Sequence, residues 1–286
     1  MRPPLALLLV LACIGAALVA PSAASAYNPL SEGSFDSKAL NDTIHYGVYL
    51  PPSYDSSPDK RYPVIYFLHG LTCNYICYRQ IWWLGDAMEQ SGREAIIIGA
   101  QGNRPGDEFQ QWMNHGPGEN WETATATELV NVVDSRYRTI ASREGRAIVG
   151  ASAGGYGAAL IGFHHPGEYS VIQSWSGYFQ PIDISGQNVI DLGTKSANLR
   201  ASVPTFVPKL KKRAGGLWSR TYFDHYVGAD DDRFRTPNEK MHRQLARARM
   251  PHSAFRVYPG NHGVDLWVEH APEWIALATK QLAPAQ

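Results

Sequence analysis

In 286 residues, 26 Lys and Arg offset 26 Asp and Glu, so no global field recruits nucleic acid or an anionic membrane, and the expected partner is small or uncharged. The length suits one large domain with a generous core, and no internal repeat or low-complexity tract points to a different class.

At the amino end Arg2 precedes an apolar run over 5–20 and then Pro21-Ser22-Ala23-Ala24-Ser25-Ala26. This is the pattern of a secretory signal peptide over 1–26, cut after Ala26, and it leaves a single domain over 27–286 that is secreted, extracellular or cell-wall associated. The run is too short and wrongly flanked for a stable membrane anchor. Cys13, after Leu11-Ala12, offers a lipidation reading that would leave a very short apolar region. The mature chain keeps Cys73 and Cys77. In an exported protein this spacing suits a disulfide stapling the loop, and two buried thiols on one helix face are the bland alternative. Zinc would need further ligands at short spacing, and none is nearby.

The run 43–50 alternates as an exposed strand and stops at Pro51-Pro52, while 63–68 reads as a fully buried strand and 94–100 as a third. Helical spacing over 121–137 places Leu129, Val130 and Val133 on one side, and strands follow at 147–150 and 170–174. Such βαβαβ order implies a mostly parallel sheet with helices on both faces. Between Phe179 and Trp218 the pattern degrades into a polar stretch containing the basic run 209–213. We read it as an inserted cap near 179–218 with short helices, one around 207–214. A strand at 221–228, a basic helix over 237–250, a strand at 254–258 and a helix from about 264 to 281 complete the chain.

Residues 150–154, Gly-Ala-Ser-Ala-Gly, lie between the strand at 147–150 and a small-residue stretch at 155–162. A G-x-S-x-G pentapeptide joining strand to helix is the nucleophile elbow of an α/β-hydrolase, with glycines where strand and helix approach too closely for side chains. The bland alternative is a tight turn whose Ser152 caps the helix. What separates the two is the order of parts downstream, where such a fold carries an acid and then a His. Here 226–228 is followed by Asp230-Asp231-Asp232, and 254–258 is followed by Pro259-Gly260-Asn261-His262. A serine hydroxyl needs a neutral imidazole to accept its proton and a carboxylate to orient that imidazole. His262 is the candidate base. Asp232 suits a helix cap, and the residues leave Asp230 and Asp231 open as the acid. One oxyanion donor is the amide of Ala153, and Gly70 in His69-Gly70-Leu71 can turn the Leu71 amide toward the same oxygen, which makes His69 positional.

His-Gly-Leu-Thr-Cys at 69–73, Trp121-Glu122-Thr123 leading to Glu128-Leu129, the elbow, His165-Pro166, Gly228-Ala229-Asp230-Asp231 and Pro259-Gly260-Asn261-His262 together resemble the esterase D and antigen 85 superfamily of α/β-hydrolases. That superfamily includes feruloyl and acetyl-xylan esterases, and the resemblance is weakest over 179–218. It implies the triad Ser152, Asp231 and His262, with Asp231 chosen by the family's Gly-x-x-Asp turn, and oxyanion amides at Leu71 and Ala153. The Trp121-Glu122-Thr123 element is similar to the antigen 85 mycolyltransferases, which carry Ser-Met-Ala where this chain has Ser152-Ala153-Gly154.

The expectation is an exported serine ester hydrolase that needs no cofactor or metal and takes a small-molecule or carbohydrate-linked ester. Trp112, Trp175, Tyr178 and Trp267 are candidate substrate contacts, although most aromatics in such a fold fill the core. An acyltransferase would use the same acyl-enzyme with a sugar hydroxyl as acceptor. A non-catalytic binding protein on the same scaffold would leave Ser152 unreactive.

Overall fold

The apolar runs of the sequence become the middle of a sheet. The computed structural model describes residues 30–71, 73, 75–79, 81–107, 111–183 and 185–286, and the signal peptide expected over 1–26 lies outside them. Eight strands are described: β1 (Ser31–Ser37), β2 (Asp42–Tyr49), β3 (Val64–Leu68), β4 (Ile96–Ala100), β5 (Arg146–Ala151), β6 (Val171–Trp175), β7 (Tyr222–Gly228) and β8 (His252–Tyr258). They lie in the order β1-β2-β4-β3-β5-β6-β7-β8. From β4 across to β8 every pairing is parallel, and β1 and β2 close one edge antiparallel. Strands β3 to β6 are buried along their whole length, as continuous apolar runs covered on both faces should be.

The helices are α1 (Trp82–Gln90), α2 (Trp121–Thr123), α3 (Val130–Arg136), α4 (Ala153–His164), α5 (Lys195–Ala201), α6 (Val203–Phe206), α7 (Leu210–Ala214), α8 (Arg235–Arg247) and α9 (Val264–Gln281). Leu84 and Met88 of α1 join Trp274 and Ile275 of α9 in one core. The other core takes Val130 and Val133 of α3, Tyr156 and Leu160 of α4, and Met241 and Leu245 of α8. The chain is thus an α/β-hydrolase with helices on both sheet faces.

Three local differences from the expected pattern have physical causes. The stretch expected as one helix over 121–137 is interrupted by a π-helical turn, Ala124–Leu129. Strand β1 carries only one large apolar residue, Phe35, so no alternation announces it, and it forms as an edge paired to β2. Within the inserted region, α5 is capped by Thr194, whose Oγ1 accepts the Ala197 N–H at 3.1 Å. Its last residue, Ala201, accepts a hydrogen bond from Tyr156 Oη–H at 2.6 Å. The end of α5 and helix α6 therefore pack beside α4, and among the described residues only 182, 183 and 186 of the expected cap reach the cavity described below.

Candidate active site

Parallel register brings the carboxyl ends of the strands level: Leu68 pairs with Gly150, Ala151 with Trp175, and Gly228 with Tyr258. Loops leaving those ends share one edge, where open α/β sheets hold their sites. Ser152 is the turn between β5 and α4, with φ 55° and ψ −117°. A residue with a β-carbon takes that backbone only where its surroundings impose it. Here the Ser152 N–H donates to Trp175 O at 2.8 Å, and the Tyr156 N–H takes Ser152 O at 3.1 Å. A β-carbon at Gly154 would lie 1.9 Å from Leu68 O, so α4 can start this close to β3 only without a side chain there.

His262 Nε2 lies 3.0 Å from Ser152 Oγ, and Nδ1 lies 2.8 Å from Asp231 Oδ2. Asp231 is 1% exposed, and its other oxygen accepts the Phe234 N–H at 3.1 Å. The capping expected of Asp232 thus falls to Asp231, one oxygen to the backbone before α8 and one to the imidazole. Asp230 N–H to Gly260 O at 2.9 Å ties the acid loop to the histidine loop, and Asn261 Oδ1 accepts the His262 N–H at 2.7 Å. A buried carboxylate holding Nδ1–H leaves the Nε2 lone pair facing the serine hydroxyl.

The loop after β3 crosses directly over the serine, since a β-carbon at Gly70 would sit 3.2 Å from Ser152 Cβ. Ala153 opens α4, so its amide is one of those left unpaired at a helix start. His69 Nε2 accepts the Gly102 N–H at 3.2 Å, which puts the ring proton on Nδ1, 2.9 Å from Gly70 O. Burial lowers its pKa to about 4 against the pull of that carbonyl, so the ring stays neutral and serves as a brace for the loop.

A cavity of about 700 Å³ opens over Ser152. Tyr178 and Trp267 border it, as do Cys73 and Cys77, which are joined in a disulfide. Trp267 is fixed by a hydrogen bond from Nε1–H to Ser176 Oγ at 3.1 Å. Trp112 and Trp175 lie elsewhere. Trp112 is buried beneath the His69-Gly70 loop, with Nε1–H donating to His69 O at 3.3 Å and the two rings 5.1 Å apart. Trp175 is wholly buried among Phe67, Trp83 and Trp274. Among the described residues no group of three or more His, Cys, Asp or Glu could hold a metal ion, and no helix is long and apolar enough to cross a membrane.

The profile of the family described as Putative esterase matches residues 37–284. The chain belongs to that family. A solved ferulic acid esterase is 25% identical, with a TM-score of 0.77 over 90% of this chain and 98% of that one. An S-formylglutathione hydrolase from Agrobacterium tumefaciens, 16% identical with a TM-score of 0.71 over 93% and 99% of the two chains, shares the fold. So does a ferulic acid esterase from Anaeromyces mucronatus in complex with ferulic acid, 18% identical with a TM-score of 0.66 over 90% and 93%. Esterase Rv1288 of Mycobacterium tuberculosis is 30% identical over 149 residues, which cover 50% of this chain and 31% of that protein. The chain therefore spans about a third of the length of the curated relatives it matches.

Two residues of this esterase-family chain, one at the cavity wall and one at the far end of α4, make contacts that no sequence motif assigned. Gln111 Oε1 accepts the Tyr178 hydroxyl at 3.2 Å and the Ile182 N–H at 3.3 Å, while its Nε2 donates to Ile182 O. It holds one wall of the cavity, and a glutamine in an irregular stretch gives no sequence signal. Glu122 is 2% exposed, and its Oε1 is shared by His164 Nδ1 at 3.0 Å, His165 Nε2 at 2.9 Å and Arg200 at 3.5 Å. Burial raises its pKa, but the hydrogen bonds from His164 and His165 and the charges of His164 and Arg200 outweigh it and hold the carboxyl at about 2. The strings Trp121-Glu122 and His165-Pro166 were visible in the sequence. That they meet is tertiary.

Proposed function

We propose that this chain is an exported serine carboxylic ester hydrolase, one domain over 27–286 behind a signal peptide at 1–26. The observation that carries the reading is the 3.0 Å contact of His262 Nε2 with Ser152 Oγ, backed by Asp231 at 2.8 Å, in a chain of an esterase family. Ser152 Oγ bonds to the ester carbonyl carbon as its proton passes to His262 Nε2. The Leu71 and Ala153 amides hold the oxyanion. Collapse breaks the bond to the alcohol oxygen, which takes the proton from His262. Water, deprotonated by His262, then frees the acid from the acyl-enzyme and restores Ser152. The ferulic acid esterase at 25% identity supports an ester of small to medium size, and the family resemblance of the sequence extends this to one attached to carbohydrate.

Labelling with a fluorophosphonate probe tests the nucleophile. Wild type is expected to label, and Ser152→Ala to lose both labelling and hydrolysis of p-nitrophenyl acetate by about 10³-fold or more. Persistent labelling of Ser152→Ala, or an unlabelled wild type, would remove the reading. Turnover with trehalose or xylose present is expected to give chiefly free acid, and a sugar ester as main product would indicate acyl transfer instead.

A further inference from the structure

Two aromatic rings pack on the His262 imidazole. Phe234, just before α8, lies 4.9 Å from it between ring centres at 64°, and Trp267, in α9, lies 5.4 Å from it at 87°. Rings that meet at a steep angle over such distances attract and fix one another's orientation. Phe234 is itself held. Its ring packs on Tyr178 at 5.2 Å, and Tyr178 stacks on Tyr156 at 5.2 Å. The guanidinium of Arg233, at the cavity wall, lies over the Phe234 ring at 5.2 Å.

Trp267 has a less ordinary anchor. Its Nε1–H donates to Ser176 Oγ at 3.1 Å, and Ser176 is wholly buried with φ 49°. Glycine takes that backbone more readily than serine, so a serine kept there points to a use for its side chain. What serine adds is a hydroxyl, and the Trp267 indole is the group that hydroxyl receives. The Ser176 N–H fixes the turn by donating to Tyr226 O at 2.7 Å. The following peptide is fastened as well. Asn238 of α8, 0% exposed, donates through Nδ2 to Gly177 O at 2.7 Å and to Phe234 O at 2.8 Å. With both amide protons used, its Oδ1 accepts His225 Nδ1–H at 3.0 Å. A single buried amide therefore ties the turn that carries Ser176 to the residue whose ring packs on His262.

We infer that Trp267 and Phe234 are positioning residues that hold the His262 imidazole in line with Ser152 and Asp231, with Ser176 and Asn238 as their anchors. Trp267 serves the reaction in this way and not by binding substrate. The imidazole must keep both hydrogen bonds while its charge changes, and a ring free to turn about its side-chain bonds loses them. The inference rests on the ester-hydrolase reading.

Trp267→Leu removes the ring and is expected to lower kcat about tenfold, equally for p-nitrophenyl acetate and p-nitrophenyl octanoate, with each KM within about twofold of wild type. Trp267→Phe and Ser176→Ala keep a ring beside His262 and lose only the hydrogen bond, so each should lower kcat about threefold. A second readout needs no turnover. The low-field proton resonance of the His262 Nδ1–H held by Asp231 should be sharp in wild type and broadened in Trp267→Leu. A raised KM at unchanged kcat, or losses that differ between the two esters, would make Trp267 a substrate contact and overturn the inference. Unchanged kcat and an unchanged resonance in a variant that only unfolds at lower urea would overturn it too. Should Trp267→Leu not fold, the two milder variants decide, and full kcat in both overturns the inference. Wild type that hydrolyses neither ester would instead remove the hydrolase reading, and this inference with it.

Discussion

At the scale of single residues, the acidic triplet shows how position separates chemically identical groups. Asp230, Asp231 and Asp232 are adjacent, yet only Asp231 is buried with one oxygen on His262 Nδ1 and the other on a backbone N–H. Asp231→Asn is expected to lower kcat by about 10³-fold or more, because an amide in that place favours the wrong imidazole tautomer. Asp230→Asn and Asp232→Asn should stay within about twofold, as both side chains are exposed and neither bonds to His262. Steady-state hydrolysis of p-nitrophenyl acetate checks all three, and comparable losses across the triplet would contradict the assignment. Gly154 makes the same point in backbone terms. Gly154→Ala puts a methyl group 1.9 Å from a strand carbonyl and should cost about 3 kcal/mol or more, read as a shift in urea midpoint.

Among the elements, α4 does more than follow the Ser152 turn. Its carboxyl end, at His164 and His165, meets Glu122 at the start of α2, and Arg200 of α5 reaches the same oxygen. A carboxyl held at about 2 rather than its ordinary 4.5 binds fewer protons folded than unfolded. Its contribution to stability is therefore complete above about pH 4.5 and lost as pH falls toward 2. Glu122→Gln should lower Tm by about 5 °C at pH 7, since it leaves the partners of a buried charge uncompensated. The gap between wild type and variant should close between pH 4.5 and 2. Scanning calorimetry at pH 7, 4 and 3 checks this, and a gap that is the same at all three would rule out the ionised carboxylate as its source.

For the molecule as a whole, equal numbers of acidic and basic side chains leave no long-range field to gather charged substrates. With a neutral ester, kcat/KM should vary by less than about twofold between 20 and 500 mM NaCl, because nothing screened by salt contributes to encounter. A steep salt dependence would point to a charged substrate or to local steering by Arg233. The parallel sheet supplies the other global property, since its register puts three loops distant in sequence at one edge. Ser152 and His262 are 110 positions apart and 3.0 Å apart in space.

Much of this arrangement was legible in the chain itself. Apolar runs buried on both faces cannot be mistaken for solvent-facing strands, so β3 to β6 followed from composition, and the elbow followed from glycines whose purpose is close approach. The order of Ser152, the aspartates and His262 is the one an α/β-hydrolase sheet calls for, whereas the chemistry of proton transfer calls only for their residue types. Helix α1 and strand β1 were not foreseen, because the first has little flanking signal and the second forms only through pairing to β2. The choice among aromatics was likewise closed to sequence. Trp112, Trp175, Tyr178 and Trp267 are all large aromatics, and which of them meets the cavity depends on the direction each side chain takes from the packed sheet. Sequence determined the parts and their order through local backbone and burial requirements, and tertiary packing alone decided which side chains converge, because convergence depends on contacts between positions far apart in the chain.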